Sequence, residues 1–107
     1  MERVLLVTIK WRHETDAWTL DDLAQEMEEL IGATDAVIVE HIACNVDGPT
    51  ANFFVGKGKA EEIAMVAADA QVDAVIFSRD LSGTQQRNLE DVIGRKTIDR
   101  TQLILDI

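Results

Sequence analysis

The segment DAVIFSRDLSGTQQRNLEDVI, residues 73–93, decides the fold class. DAVIF (73–77) is a continuous apolar run of strand length, the pattern of a strand covered on both faces in a parallel sheet. After the polar turn SRD, Ser82 stands where a helix cap would, and Gln85, three residues on, completes a capping box. Leu89, Val92 and Ile93 then supply an inward helical face. A buried strand that turns directly into a capped helix is half of a strand–helix–strand unit.

The same alternation recurs on either side of this segment. RVLLVTI (3–9) is a strand candidate, and a polar connection follows over 10–18. Thr19 can cap a helix with Asp21 and Asp22 in its first turn, where the dipole favours anions. Leu20, Leu23, Ala24, Met27, Leu30 and Ile31 repeat at helical spacing, and Gly32 is placed to end that helix. AVIVEHIA (36–43) is a second strand, NVDGPTAN (45–52) a loop turning on Gly48-Pro49, and FFV (53–55) a brief third strand. GKGK (56–59) opens a helix whose apolar face is Ala60, Ile63, Ala64, Ala67 and Ala70. Behind 73–93, KTI (96–98) is a last short strand, and Asp99 with Gln102 forms another capping box. These elements predict one α/β domain over 1–107: three layers, a mostly parallel sheet of four to five short strands, and helices on both faces. Binding surfaces in such sheets lie beyond the carboxyl ends of the strands, which places 78–88 and GKGK there.

Composition narrows the function. The chain of 107 residues carries a net charge of −10, with 10 Lys and Arg against 20 Asp and Glu. Residues 1–55 hold 3 basic and 11 acidic side chains, and residues 56–107 hold 7 and 9. Broad nonspecific binding to nucleic acid is disfavoured, since it depends on lysine and arginine. A local basic patch is expected in the second half if anywhere. No apolar run approaches the ~20 residues of a membrane span. MERVLLVTIK leads into Lys10, Trp11 and Arg12 rather than a small-residue cleavage site, and so reads as a strand and not a signal peptide. The single Cys44 fits a reducing cytoplasm.

Candidate chemistry is sparse. GKGK at a helix start combines free N–H groups, a favourable dipole and two lysines, a recipe for holding phosphate; its bland reading is a glycine-rich turn with no ligand. It is not a Walker A loop, because Phe53 and Ala60 stand where Gly and Ser or Thr are required. DLSG (80–83) matches the D-x-x-G of GTPases only in two letters, and no N-K-x-D follows. His41 and Cys44 have a metal-like spacing but are too few, with His13 the only other histidine; a strand residue near the surface and a buried thiol explain them. Ser82 and Thr84 have no neighbouring base. Trp11 and Trp18 flank a polar connection and fit a cover over the core edge, with an exposed stacking role as the alternative. On chemistry alone, 82–91 is a solvated helix with a good cap.

Three segments taken together go further. GKGKAEEI (56–63), DLSGTQQRNLED (80–91) and IDRTQLILDI (98–107) resemble the N-terminal domain of the HflX family of ribosome-associated GTPases, in the family's order and at about its spacing. Q-Q-R-N-L-E is the most specific part, and NVDGPTAN followed by FFVGKGK also fits. The match covers most of 36–107. The family usually has proline where this chain has Gly83, and its last helix continues beyond Ile107 into a helical hairpin and a GTPase domain.

The resemblance implies a domain that docks on the large ribosomal subunit and its RNA during ribosome splitting, in the cytoplasm and without membrane contact. GTP and Mg would belong to the absent GTPase domain, leaving this chain with no cofactor and no enzymatic activity of its own. Carried over residue by residue, Gly56, Lys57, Gly58 and Lys59 are phosphate- or RNA-binding candidates. Gln85, Gln86, Arg87 and Asn88 are candidates for recognition or for contact with the chain's own GTPase domain. The competing reading is a small α/β domain that binds phosphate or an adenine nucleotide on GKGK. Leu103, Ile104, Leu105 and Ile107 crowd the end of the chain with apolar side chains, so a weak homodimer through 103–107 is also expected.

Overall fold

The computed structural model describes residues 1–12, 19–48 and 52–106. Its elements are β1 (Glu2–Trp11), α1 (Leu20–Gly32), β2 (Ala36–Val46), α2 (Lys57–Ala70), β3 (Ala74–Phe77), α3 (Gly83–Ile93), β4 (Lys96–Ile98) and α4 (Arg100–Asp106). The four strands form one sheet in the order β2-β1-β3-β4, and every neighbouring pair is parallel. All strand carboxyl ends therefore share one edge, and every helix begins there.

The layers follow from alternation along β1. Val4 and Leu6 turn to one face and pack with Met27 and Ile31 of α1 and Leu103 of α4. Leu5, Val7 and Ile9 turn to the other and pack with Ala60, Ile63 and Ala67 of α2 and Leu89 and Ile93 of α3. β1 is central, and Val4 through Val7 and Ile9 are wholly buried. The buried side of α2 is largely alanine, which lets that helix lie close to the sheet. β3 is buried along its whole length, as its unbroken apolar run requires. No helix among the described residues is long and apolar enough to cross a membrane.

The edge strand β2 contains a feature its sequence does not announce. Val4 pairs with Ile38, but Leu5 pairs with Glu40, so Val39 is an extra residue. This bulge reverses the strand's facing parity. Ala36 and Ile38 pack toward α1 and α4, whereas Val39, Ile42, Cys44 and Val46 pack toward α2 and α3.

The expected strand at FFV does not form. Residues 52–55 are turn and bend, and Phe54 has φ 67°, which no strand accommodates. Its apolar side chains are used differently: Phe54 and Val55 are buried in the core cluster on the α2 and α3 side of the sheet. The sheet accordingly has four strands. α1 ends at Gly32, as expected, with Ala33 as its C-cap. Pro49, Trp18, His13 and Ile107 lie outside the described residues.

The three caps form as the residues suggest. Thr19 and Asp22 exchange hydrogen bonds at the start of α1. Ser82 Oγ accepts from Gln85 N at 3.1 Å while Ser82 N donates to Gln85 Oε1 at 2.8 Å. Asp99 and Gln102 do the same at α4. Gly83 does not loosen the α3 cap. A Cβ built there meets nothing within 4 Å, and Gly83 occupies the first helical position, where proline is favoured because its missing N–H has no helical partner. Gly83→Pro is therefore expected to stabilise the fold by about 0.4–1 kcal/mol through the unfolded chain, read as a higher urea midpoint with an unchanged slope. A lower midpoint would show that the ring collides with the turn.

Candidate functional site

The helix starts and strand ends gather most of the chain's positive charge at one edge. Lys10 and Arg12 close β1, Lys57 and Lys59 open α2, Arg79 follows β3, Arg87 lies in the first half of α3, and Arg100 opens α4. That is seven of the 10 basic residues. The other three, Arg3, Arg95 and Lys96, lie at the opposite edge. There Arg3 Nη2 donates to Ala70 O at 2.8 Å and Arg95 Nε to Val72 O at 2.9 Å, so both serve carbonyls at and just beyond the end of α2.

Not all seven are equally available. Lys59 is bonded to Glu62 at 2.7 Å, and that bond above all holds its ammonium higher than the ordinary lysine range. Arg100 pairs with Glu26 at 2.7 Å. Arg12 pairs with Asp47 at 3.1 Å, but both are largely exposed, so the pair is weak and easily exchanged. Lys57 and Arg87 are exposed and have no ion-pair partner among the described residues. Gly56 is the N-cap of α2 and brings no side chain to it, leaving N–H groups of that first turn without a side-chain partner.

The amide-rich motif of α3 turns inward. Gln85 belongs to the cap. Gln86 Nε2 donates to Thr97 O at 2.7 Å and to Gln102 Oε1 at 3.0 Å, joining α3 to β4 and α4. Asn88 Nδ2 donates to Asn52 O at 3.0 Å and so ties α3 to the loop that precedes GKGK. The GKGK and Q-Q-R-N segments thus form one surface, and Arg87 is its outward member on α3. Asn88→Ala is expected to cost about 1 kcal/mol, measured by thermal unfolding; a loss below a few tenths would mean that water replaces the amide.

Two side chains at this edge that sequence spacing did not single out for it are Arg12 and Arg79. Arg12 follows β1 and Arg79 follows β3, and the pairing of those two strands puts both at the same edge of the sheet. His41 and Cys44 do not make a metal pair. After the bulge they face opposite sides of β2, with His41 Nε2 2.8 Å from Thr8 Oγ1 and Cys44 in the α2 core. Burial pushes the Cys44 thiol above its ordinary range, outweighing the opposing pull of Lys59, so it is an unreactive packing residue. Among the described residues no His, Cys, Asp and Glu group could hold a metal.

Residues 21–107 match the family described as GTP-binding GTPase N-terminal. The chain is 41% identical over 106 residues to GTPase HflX of Caldanaerobacter subterraneus, and 38% identical over 106 residues to GTPase HflX of Escherichia coli. Each match covers 99% of this chain. This chain belongs to the HflX GTPase family, as its N-terminal domain. It spans about a quarter of the length of those HflX relatives, 24% in both cases. The HflX assignment agrees with the resemblance carried by GKGKAEEI and DLSGTQQRNLED. Two crystal structures of SsGBP variants superpose with a TM-score of 0.71 at 16% identity, over 99% of this chain and 31% of theirs. At that identity they speak for the fold alone.

Proposed function

We infer that this HflX N-terminal domain docks its parent protein on the RNA of the large ribosomal subunit, through the cation-bearing carboxyl edge of its sheet. The observation that carries this reading is the placement of seven of 10 basic residues at one edge of a chain whose net charge is −10. Acidic residues share this edge, Asp21, Asp22, Asp47, Glu62 and Asp80 among them; together with the net charge they suppress indiscriminate binding, while the lysines and arginines supply the phosphate contacts. Lys57, with the first turn of α2 behind it, and Arg87 are the principal contacts, and Gly56, Gly58 and Lys59 shape and flank them. Gln85, Gln86 and Asn88 position Arg87 and the GKGK turn. The cytoplasm is the compartment this implies. GTP hydrolysis, the Mg it requires and the splitting of ribosomes belong to the longer protein.

Calorimetry with a large-subunit ribosomal RNA fragment, GTP and ATP tests the reading. Weak, salt-sensitive heat with the RNA alone is expected. Micromolar GTP binding with guanine selectivity would overturn it, and ATP binding without RNA binding would favour a small phosphate site on GKGK.

The chain also carries a surface for its own kind. Leu103 is buried, but Ile104 is 46% and Leu105 is 77% exposed on α4. Weak self-association through 103–107 is the expected consequence. Sedimentation over a concentration series should show it, and Ile104→Ser with Leu105→Ser should abolish it; a strict monomer at high concentration would refute it.

A further inference from the structure

We propose that Trp11 and Arg79 form a stacking platform for an unpaired RNA base, at the point where the sheet's connections diverge. This deepens the RNA-docking reading and rests on it. From β1 the chain leaves toward β2 by way of α1 on one face, and it reaches β3, on the other side of β1, by way of α2 on the opposite face. A crevice outside the carboxyl ends of β1 and β3 follows from that divergence, and open parallel sheets bind their ligands there.

Trp11 is the last residue of β1, and Arg79 lies two residues beyond the end of β3. The Arg79 guanidinium carbon stands 4.6 Å from the Trp11 ring centroid, and Arg79 Nε donates to Ile9 O at 3.2 Å. Ile9 N in turn donates to Ser78 Oγ at 2.9 Å. The β1 backbone at Ile9 therefore fixes where the guanidinium lies, and Ser78 ties that backbone to the end of β3. Trp11 also meets Phe54 in an edge contact, with centroids 5.0 Å apart and planes at 66°. Phe54 holds a left-handed backbone at φ 67°, a strain that persists only where its surroundings enforce it and that concentrates at binding sites.

Trp11 and Arg79 are each half-buried, so part of the stack remains at the solvent. A cation held over an indole presents a flat, charged, pre-ordered surface. Unpaired bases stack on aromatic rings and on guanidinium planes. The phosphates flanking such a base would lie toward Arg12 and Lys57, which stand at the same carboxyl edge of the sheet. A core cover alone would be served equally by an apolar side chain, and that difference supplies the test.

The chain has two tryptophans, so Trp18→Phe leaves Trp11 as the only indole reporter. Titration of that protein with short single-stranded oligoadenylate should quench Trp11 emission. Duplex RNA of the same length, and AMP at the same nucleotide concentration, should not. Arg79→Met, which keeps the packing on Trp11 and removes the plane and charge, should weaken oligoadenylate binding about tenfold. Arg79→Lys should weaken it similarly, and Arg87→Ala should weaken binding while leaving the quenching at saturation intact. Oligonucleotide binding with Trp11 emission unchanged would overturn the stacking proposal and leave RNA docking standing. Equal quenching by AMP would assign the stack to a free nucleotide instead. Absence of any RNA binding would overturn the docking reading itself. Should an Arg79 variant fail to fold, the quenching measured with Arg79 in place still decides the matter.

Discussion

Replacing Asp99 with alanine is expected to lower folding stability by about 2–4 kcal/mol. Asp99 is 6% exposed, and each of its carboxylate oxygens has a separate task. One accepts from Gln102 N at 2.9 Å and caps α4. The other accepts from Leu81 N at 3.0 Å and anchors the turn that leads into α3. Alanine removes the cap, worth about 1 kcal/mol. It also leaves the Leu81 N–H, in a half-buried turn, without its partner, a further cost of about 1–3 kcal/mol. Asparagine keeps one oxygen and should recover part of the loss. Equilibrium urea unfolding measures the difference. A loss under 1 kcal/mol for the alanine variant would mean that Asp80, which already accepts from Thr101 N and Thr101 Oγ1, holds the two segments together alone.

Removing Lys57 and Arg87 together is expected to lower the salt dependence of RNA binding by about two units of slope, since each phosphate contact contributes roughly one. Both side chains are exposed and neither joins the core, so stability should change by no more than about 0.5 kcal/mol. Lys59→Ala should have a smaller effect, because Glu62 already holds that ammonium. Titration of a large-subunit RNA fragment over a range of salt concentrations reads the slope directly. An unchanged slope in the double variant would remove this edge from consideration.

The parts of the fold legible in the sequence were those with local causes. DAVIF announces a buried parallel strand by its unbroken apolar run, and Ser82 with Gln85 or Asp99 with Gln102 announce helix starts by reciprocal bonds three residues apart. FFV misled because aromatic and β-branched residues suit strands, whereas the contacts of Phe54 with Trp11 and the core settle its left-handed conformation. The bulge at Val39 is set by pairing with β1, and nothing in AVIVEHIA marks it. The candidate site was half legible. GKGK and Arg87 stood out by composition and by family resemblance. Arg12 and Arg79 did not, because their common place at this edge depends on strand order. The bond from Asn88 to Asn52 was hidden for the same reason.

The most direct test of the docking reading is to photo-cross-link the chain to large ribosomal subunits and identify the attached peptides. Cross-links are expected within residues 10–12, 56–59 and 79–87, all at the carboxyl edge of the sheet. Cross-links confined to the opposite edge, around 69–73 and 94–96, would contradict that reading.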